Sequence, residues 1–141
     1  MNIVINPTPV ALGEAAARQA AQVLNKAIQE KGKARLILST GMSQFETLQA
    51  LLASDVDWSK VEMFHLDEYI DLPVSHPASF RKYLNERFIS KISLKAVHLV
   101  NGEGDLDATI RTLSEAVSAE PVDLGLIGIG ENAHIAFNDP P

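Results

Sequence analysis

The stretch Ala-Arg-Leu-Ile-Leu-Ser-Thr-Gly-Met-Ser-Gln-Phe-Glu-Thr-Leu-Gln-Ala-Leu-Leu, residues 34–52, contains a complete strand–turn–helix unit. The apolar run at residues 34–39 predicts a buried strand, and residues 43–52 have the apolar spacing of a helix. The polar turn from Ser39 to Ser43 joins the end of the strand directly to the start of the helix. Units of this kind are typical of parallel sheets in which strands alternate with helices.

The same alternation continues on both sides of this unit. A short strand-like run, Ile3-Val4-Ile5, comes first; Thr8 and Pro9 then predict the cap and first position of a helix that extends through residues 11–31 to Gly32. Further strands are predicted at residues 61–66, 96–100 and 124–129, and further helices at residues 79–91 and 105–119. We therefore predict one α/β domain over residues 1–141, with a Rossmann-like, mostly parallel sheet and helices on both faces.

Composition excludes several classes of protein. Of the 141 residues, 46% are hydrophobic and 21% charged, which is ordinary for a globular chain and excludes disorder. The absence of cysteine excludes disulfides, thiolate metal sites and cysteine nucleophiles, and a net charge of −6 argues against nucleic acid as a partner. No apolar run approaches the ~20 residues that span a bilayer, and the N-terminal residues lack a basic signal start, so we expect a cytoplasmic protein without membrane contact.

Ligands of parallel α/β sheets bind beyond the carboxyl ends of the strands, so three turns are candidates for chemistry. In the first turn, backbone N–H groups and a helix dipole would favour an anion such as phosphate. The residues of this turn are Ser39, Thr40, Gly41, Met42 and Ser43. An alternative needs no ligand, because Ser43 and Glu46 have the spacing of a capping box.

The second turn places Asp67, Glu68 and Asp71 just after a predicted strand. A carboxylate at a strand end, partly shielded from water, can have its pKa raised enough to accept a proton near neutral pH. For Asp67 this role and that of a turn cap both stay open, whereas solvated loop charges are the more common role for Glu68 and Asp71.

The third turn, Gly128-Ile-Gly-Glu-Asn-Ala-His134, contains the pattern G-x-G-x-x-A after a strand. A dinucleotide fingerprint would open a helix, whereas we expect the segment after His134 to continue extended into proline, so we reject that interpretation. The glycines, Gly130 among them, would instead let the backbone approach a ligand. Asn132 and Asp139 flank His134, which makes an acid-oriented imidazole conceivable. Structural roles are predicted for the other histidines, His65, His76 and His98, and the spacing predicts no metal site.

Four blocks, taken in order, resemble the glucosamine-6-phosphate deaminase/isomerase family. They are Ser39-Thr-Gly-Met-Ser43, Phe64-His-Leu-Asp-Glu-Tyr-Ile-Asp-Leu-Pro73, His76-Pro-Ala-Ser-Phe80 and Gly128-Ile-Gly-Glu-Asn-Ala-His-Ile-Ala-Phe-Asn-Asp-Pro140. The related 6-phosphogluconolactonases share the fold, but Tyr69 and Phe137-Asn138 favour the deaminase branch.

The resemblance implies isomerisation of an amino-sugar phosphate with loss of ammonia, without a redox cofactor. Asp67 matches the family's base, His134 the residue that helps to open the sugar ring, and Asp139 the acid that orients this histidine. The turn at residues 40–43 matches the phosphate-binding loop. On this basis the candidate catalytic residues are Asp67, Asn132, His134 and Asp139, and the candidate substrate-binding residues are Ser39, Thr40, Gly41, Met42, Ser43, Glu68 and Gly130.

Departures from the family pattern leave the exact sugar phosphate open. Met42 and Gln44 stand where members commonly have Gly and Pro, Asn132 stands where the best-known deaminases have Asp, and Asp139 where they have Glu. Family members are also much longer, so we expect this chain to be an N-terminal portion, and a homo-oligomer is compatible with the resemblance. A 6-phosphogluconolactonase-type hydrolase and a non-catalytic sugar-phosphate sensor are the alternatives, and the presence of both Asp67 and His134 favours an enzyme.

Overall fold

The computed structural model describes residues 2–138, and this part of the chain forms a single sheet with helices around it. Its elements, in chain order, are α1 (Pro9–Lys31), β1 (Ala34–Leu38), α2 (Phe45–Leu52), β2 (Val61–His65), α3 (Phe80–Arg87), β3 (Ala96–His98), α4 (Leu106–Ser118) and β4 (Leu124–Leu126). Short 3₁₀ turns occur at Met42–Gln44, Trp58–Lys60 and Ile89–Lys91. The predicted alternation of strands and helices is confirmed.

The sheet has the strand order β3-β2-β1-β4, and all of its pairings are parallel. In this register Ala34 lies beside Val61, and Leu36 lies beside Met63 on one side and Leu124 on the other. Because the strands are parallel, their carboxyl ends meet at one edge of the sheet. The three turns identified in the sequence therefore lie at the same edge.

One face of the sheet forms the main core. Leu36 and Leu38 of β1 are fully buried and pack with residues of α1, α2 and α3. The long helix α1 has the predicted ends: the Thr8 hydroxyl accepts a hydrogen bond from the Ala11 N–H (3.1 Å), and Gly32 ends the helix with φ +74°. These local caps fix where α1 begins and ends against the sheet.

On the other face, Arg35 attaches α4 to the sheet. Its buried guanidinium donates hydrogen bonds to the carbonyls of Ala116 (2.5 Å) and Val117 (3.1 Å) in the last turn of α4, and to the Glu62 carboxylate (2.9 Å). A buried cation is costly unless it is paired, and here Glu62 pairs the guanidinium, while the other two contacts satisfy carbonyls that a helix C-terminus leaves open. Helices therefore cover both faces, as predicted.

Three features differ from the sequence predictions. Ile3, Val4 and Ile5 form no strand and are 74%, 66% and 90% exposed, because no strand of the described sheet lies beside them to complete a ladder. Strands β3 and β4 are shorter than predicted. Residues 135–138 turn instead of continuing extended: Ala136 adopts φ +56°, and the Asn138 N–H bonds the Ile135 carbonyl (3.2 Å).

Within residues 2–138, no helix is long and apolar enough to cross a membrane.

Candidate functional site

A cavity of about 220 Å³ lies at the carboxyl edge of the sheet, between the turns that follow β1, β2 and β4. Its lining residues are Ser39, Thr40, Gly41, Ser43, Leu66, Asp67, Phe80, Gly128, Ile129, Gly130, His134, Ala136 and Phe137. All three of the predicted turns contribute, although nearly 90 residues separate the first from the last along the chain. This is the place where ligands bind in open parallel sheets.

The first turn lines this cavity with Ser39, Thr40, Gly41 and Ser43. Gly41 has φ +122°, a conformation that glycine adopts without strain, and its carbonyl accepts a hydrogen bond from the Gln44 N–H (3.1 Å). Within residues 2–138, no hydrogen bond uses the N–H groups of Gly41, Met42 or Ser43. These donors precede α2, so they and the helix dipole both favour an anion.

The side chains of this turn do not all face the same way. Ser39, Thr40 and Ser43 line the cavity, and the Ser39 hydroxyl accepts a hydrogen bond from the Gly128 N–H (2.9 Å), which links the first turn to the third. The Met42 side chain is 79% exposed, and Met42 is not among the residues that line the cavity.

The capping-box interpretation of Ser43 is wrong. Residues Met42–Gln44 form a 3₁₀ turn, α2 begins at Phe45, and neither element has a side-chain cap. Because Ser43 lies inside the 3₁₀ turn and not before a first α-helical turn, its hydroxyl is not positioned over the open N–H groups of α2. It faces the cavity instead.

Asp67, two residues beyond the end of β2, is half-buried and lines the cavity. Burial raises the pKa of Asp67, the neighbouring Glu68 charge raises it further, and His134 opposes both effects. Within residues 2–138 the Asp67 carboxylate accepts no hydrogen bond from the backbone, which does not fit the turn-cap alternative. A shielded carboxylate with a raised pKa is suited to accept a proton.

Glu68 is not a solvated charge, as the sequence had suggested, but is 7% exposed. Its carboxylate accepts hydrogen bonds from the Ser79 hydroxyl (2.9 Å) and from the N–H groups of Tyr69 (3.0 Å), Phe80 (3.1 Å) and Arg81 (2.8 Å). Burial alone would raise the pKa of Glu68, but these hydrogen bonds, with the backbone N–H of Arg81 first among them, lower it overall.

Glu68 therefore has a structural role in this site. Its carboxylate satisfies open N–H groups at the start of α3 and lies 3.3 Å from the Arg81 guanidinium, and it does not line the cavity. The expected substrate-binding role of Glu68 has no support in this arrangement. Asp71 is exposed, as expected.

The loop after β4 folds back and carries His134 into the cavity. Ile129 and Ile135 form an antiparallel bridge, and the Gly130 N–H donates to the His134 carbonyl (2.9 Å). A side chain on Gly130 would overlap the His134 imidazole, so this close packing requires glycine.

Asn132 orients the His134 ring. Its Oδ1 accepts hydrogen bonds from the His134 backbone N–H (3.4 Å) and from the ring Nδ1. An amide oxygen can only accept, so this contact holds a proton on Nδ1. Asp139 lies outside the described residues, and its orienting role stays a prediction.

The other histidines lie outside the cavity lining. His98 bonds the Glu62 carboxylate (2.8 Å), and the His76 Nδ1 accepts from the Ala78 N–H (3.1 Å). His65 is buried in β2, and burial lowers its pKa to about 4, so it is neutral at physiological pH. Within residues 2–138, no group of three or more His, Asp or Glu side chains is arranged to hold a metal ion.

Sequence reasoning missed an aromatic wall of the cavity. Phe80 at the start of α3 and Phe137 after His134 both line it, with ring centroids 5.7 Å apart, and Tyr69 packs against both at 5.1 and 4.9 Å. No local pattern marks these residues as neighbours, although all three belong to the blocks that carry the family resemblance. The cavity thus has an apolar wall facing polar groups of the first turn, which is typical of ligand sites.

The geometry combines three chemical capabilities in one cavity: a proton acceptor at Asp67, an oriented imidazole at His134 and open N–H donors in the first turn. Acid–base chemistry on an anionic molecule is what this arrangement can perform.

Comparison with known proteins shows which family the chain is similar to. Residues 7–137 match the model of the family of glucosamine-6-phosphate isomerases and 6-phosphogluconolactonases. Glucosamine-6-phosphate deaminase of Listeria monocytogenes is 39% identical over 128 residues, covering 89% of this chain and 54% of the relative. The deaminase of Lactobacillus delbrueckii subsp. bulgaricus is 36% identical over 124 residues, covering 87% of this chain and 53% of the relative.

Solved structures show the same relationship. A monomeric glucosamine-6-phosphate deaminase superposes with a TM-score of 0.84 and 31% identity, over 96% of this chain and 58% of that one. A 6-phosphogluconolactonase from Shewanella baltica superposes with a TM-score of 0.79 and 26% identity, over 91% of this chain and 56% of that one. The chain spans about half the length of the curated relatives it matches. It belongs to the family of glucosamine-6-phosphate isomerases and 6-phosphogluconolactonases.

Proposed function

We propose that the protein containing this chain is an aldose/ketose isomerase-deaminase that converts glucosamine 6-phosphate and water to fructose 6-phosphate and ammonia. The observation that carries the proposal is that Asp67 and His134 line one cavity together with the Ser39–Ser43 turn. The names of the curated relatives, glucosamine-6-phosphate deaminases at 36% and 39% identity, support the same reaction.

In the proposed reaction, Asp67 moves one proton. The Asp67 carboxylate takes the proton from C2 of the open-chain aldose, and the substrate's own C2 ammonium group gives a proton to the C1 oxygen, which leaves a neutral enolamine. The Asp67 carboxyl then returns its proton to C1. The product carries a protonated imine at C2, and addition of water releases ammonium and leaves the ketose. Burial of Asp67 supports this assignment, because a raised pKa brings a carboxylate closer to the basicity needed for carbon acids.

His134 is proposed to assist opening of the sugar ring before that transfer. Its imidazole faces the same cavity and is oriented by Asn132. The phosphate is proposed to bind at the first turn, where the N–H groups of Gly41, Met42 and Ser43 and the Ser43 hydroxyl are available. This arrangement would hold the two ends of the substrate at different sides of the cavity.

A 6-phosphogluconolactonase-type hydrolase is the second candidate. The resemblance to the Shewanella baltica lactonase structure favours it, since that protein shares this part of the fold. The two reactions differ in product: the deaminase releases ammonia and forms a ketose, whereas the lactonase releases acid and forms neither.

The experiment is an assay of the full-length protein against hexosamine phosphates, hexose phosphates and 6-phosphogluconolactone. Ammonia and ketose should form together from glucosamine 6-phosphate at about 1 s⁻¹ or faster, a rate typical of enzymes. Acid release from the lactone without any ammonia would establish the hydrolase instead. Binding of the sugar phosphates without turnover of any would support a sensor.

We also propose that residues beyond these 141 take part in the activity, because the curated relatives are about twice as long. The 141-residue chain, purified alone, should then turn over glucosamine 6-phosphate far more slowly than the full-length protein. Equal rates would contradict this proposal without affecting the assignment of the reaction.

A further inference from the structure

A hydrogen bond joins α3 to the first turn of the site. The Tyr83 hydroxyl donates to the carbonyl oxygen of Gly41 at 2.9 Å, and the same oxygen accepts from the Gln44 N–H at 3.1 Å. A carbonyl oxygen has two lone pairs, so both are occupied by these donors. Tyr83 itself does not line the cavity.

This contact, together with the one from the Gln44 N–H, restrains the orientation of the peptide between Gly41 and Met42. The described backbone has no cis peptide bonds, and in a trans peptide the C=O and the following N–H point in opposite directions. Fixing the Gly41 oxygen on Tyr83 therefore directs the Met42 N–H to the opposite side. A rotation of this peptide would replace an anion-binding N–H with a carbonyl oxygen that repels anions.

The conformational freedom of Gly41 explains why this peptide needs restraints. Its φ of +122° lies in a region that glycine enters freely, and glycine also has many other conformations of similar energy. Inside the turn, the Gln44 N–H restrains the Gly41 oxygen with one hydrogen bond. The Tyr83 hydroxyl adds a second restraint on the same oxygen from outside the turn.

Tyr83 is held firmly enough to act in this way. Its ring stacks on Phe45 with centroids 5.7 Å apart, and the Arg87 guanidinium carbon lies 3.8 Å above the Phe45 ring and 5.3 Å from that of Tyr83. Burial raises the pKa of Tyr83 to about 12, so its hydroxyl keeps its proton at any ordinary assay pH. Of the charged groups nearby, Arg87 opposes this rise and Glu46 adds to it.

We propose that Tyr83 is a positioning residue for the anion-binding turn: it fixes the Gly41–Met42 peptide so that the Met42 N–H is presented to the phosphate of the substrate. This inference rests on the proposed function, because it assumes that a phosphate binds at the turn.

The test replaces Tyr83 with phenylalanine in the full-length protein. Tyr83→Phe removes the hydroxyl but retains the ring that packs on Phe45. Calorimetry then measures the affinity for glucosamine 6-phosphate, for glucosamine and for inorganic phosphate. The matched control is Ser59→Ala. It removes a hydroxyl that donates to Asp57 in the 3₁₀ turn before β2, and this turn lies at the end of β2 that is opposite to the candidate site.

We expect Tyr83→Phe to weaken binding of glucosamine 6-phosphate and of inorganic phosphate by about tenfold, the scale of one hydrogen bond to a charged group, and to leave glucosamine unchanged. KM should rise by the same factor while kcat changes little, since the altered contact is to a part of the substrate that does not react. Ser59→Ala should match the wild type in all of these measurements.

The measured quantity is the ratio of the affinity for glucosamine 6-phosphate to the affinity for glucosamine. An unchanged ratio in Tyr83→Phe would overturn the role of Tyr83, also where both affinities fall by the same factor, because such a fall would indicate a general loss of structure in the site. Amide exchange in the wild type gives a second measurement that needs no variant: the Met42 N–H should become protected when inorganic phosphate is added. No protection at saturating phosphate would also overturn the proposal. If the wild type itself binds both sugars equally, phosphate binding at the turn fails, and the role of Tyr83 fails with it.

Discussion

Asp67 and Glu68 are adjacent in the chain, yet their carboxylates lie in opposite environments. Asp67 lines the cavity and accepts no backbone hydrogen bond within the described residues, whereas Glu68 is buried under the start of α3 and accepts several. Their pKa values shift in opposite directions: burial raises that of Asp67, while hydrogen bonds outweigh burial and lower that of Glu68. The lowered pKa of Glu68 beside the raised pKa of Asp67 gives the two acids separate roles.

Replacing Asp67 with asparagine should nearly abolish turnover. Asp67→Asn keeps the shape of the side chain but removes its basicity, so kcat should fall at least ~10²-fold, the usual scale for losing a general base. The control is Asp71→Asn, an exposed acid in the same turn, which should retain normal turnover. Near-normal turnover of Asp67→Asn would remove Asp67 from the mechanism.

Glu68→Gln should shift the pH profile. Asp67 acts as a base only when it is deprotonated, so kcat/KM should fall as the pH drops through its raised pKa. Removing the Glu68 charge lowers the pKa of Asp67 and should move this acid limb to lower pH. Glu103→Gln is the matched control, because Glu103 also bonds Arg81 (2.7 Å) but is not adjacent to Asp67. An acid limb at the same pH in both variants would contradict the coupling.

Ser43→Ala should affect phosphate binding and not stability. Since Ser43 caps no helix, its loss should change the free energy of unfolding by less than about 0.5 kcal/mol. The affinity for glucosamine 6-phosphate should fall by about 1–3 kcal/mol, and that for glucosamine should not change. Calorimetry and urea unfolding of the full-length protein measure both quantities. A loss of stability with an unchanged affinity ratio would restore the cap interpretation.

Gly130→Ala should displace the His134 ring. The new Cβ would overlap the imidazole, so kcat should fall about 10- to 100-fold, while KM changes little if the phosphate contacts supply most of the binding. Gly125→Ala in β4 is the control, since a Cβ there lies 3.4 Å from the nearest side-chain atoms, those of Ile127, which is an ordinary contact. A normal kcat in Gly130→Ala would show that the position of His134 is not critical.

His65 should make the stability depend on pH. It is 5% exposed, and burial lowers its pKa to about 4 from an ordinary value of 6.5. The unfolded chain therefore binds a proton that the folded chain excludes, so stability is full above pH 6.5 and is lost as the pH falls from there to about 4. The loss attributable to His65 is on the order of 3 kcal/mol.

Urea unfolding at several pH values compares the wild type with His65→Leu. The variant should lose less stability over this pH range than the wild type. His76→Gln, at an exposed histidine, should retain the pH dependence of the wild type. Parallel pH profiles for His65→Leu and the wild type would rule out this role of His65.

The sequence by itself determined the regular elements and the location of the site. Thr8 and Gly32 mark the ends of α1, and the apolar run that begins at Ala34 marks β1, because caps and hydrophobic spacing act over a few neighbouring residues. The parallel topology then placed all three polar turns at one edge, so Asp67 and His134 could be predicted to lie close together. The resemblance to the family added the chemistry that these residues could perform.

Only the tertiary structure decided which side chains face the cavity. The burial of Glu68 depends on the start of α3, the aromatic wall joins Phe80 to Phe137, and the bond from Tyr83 to Gly41 crosses 42 positions of sequence. Local patterns carry no information about such contacts, because a side chain's surroundings are set by elements that pack against it from distant parts of the chain. The error over Glu68 has this cause: an acid in a polar loop is usually solvated, and here a helix from another part of the chain packs over it.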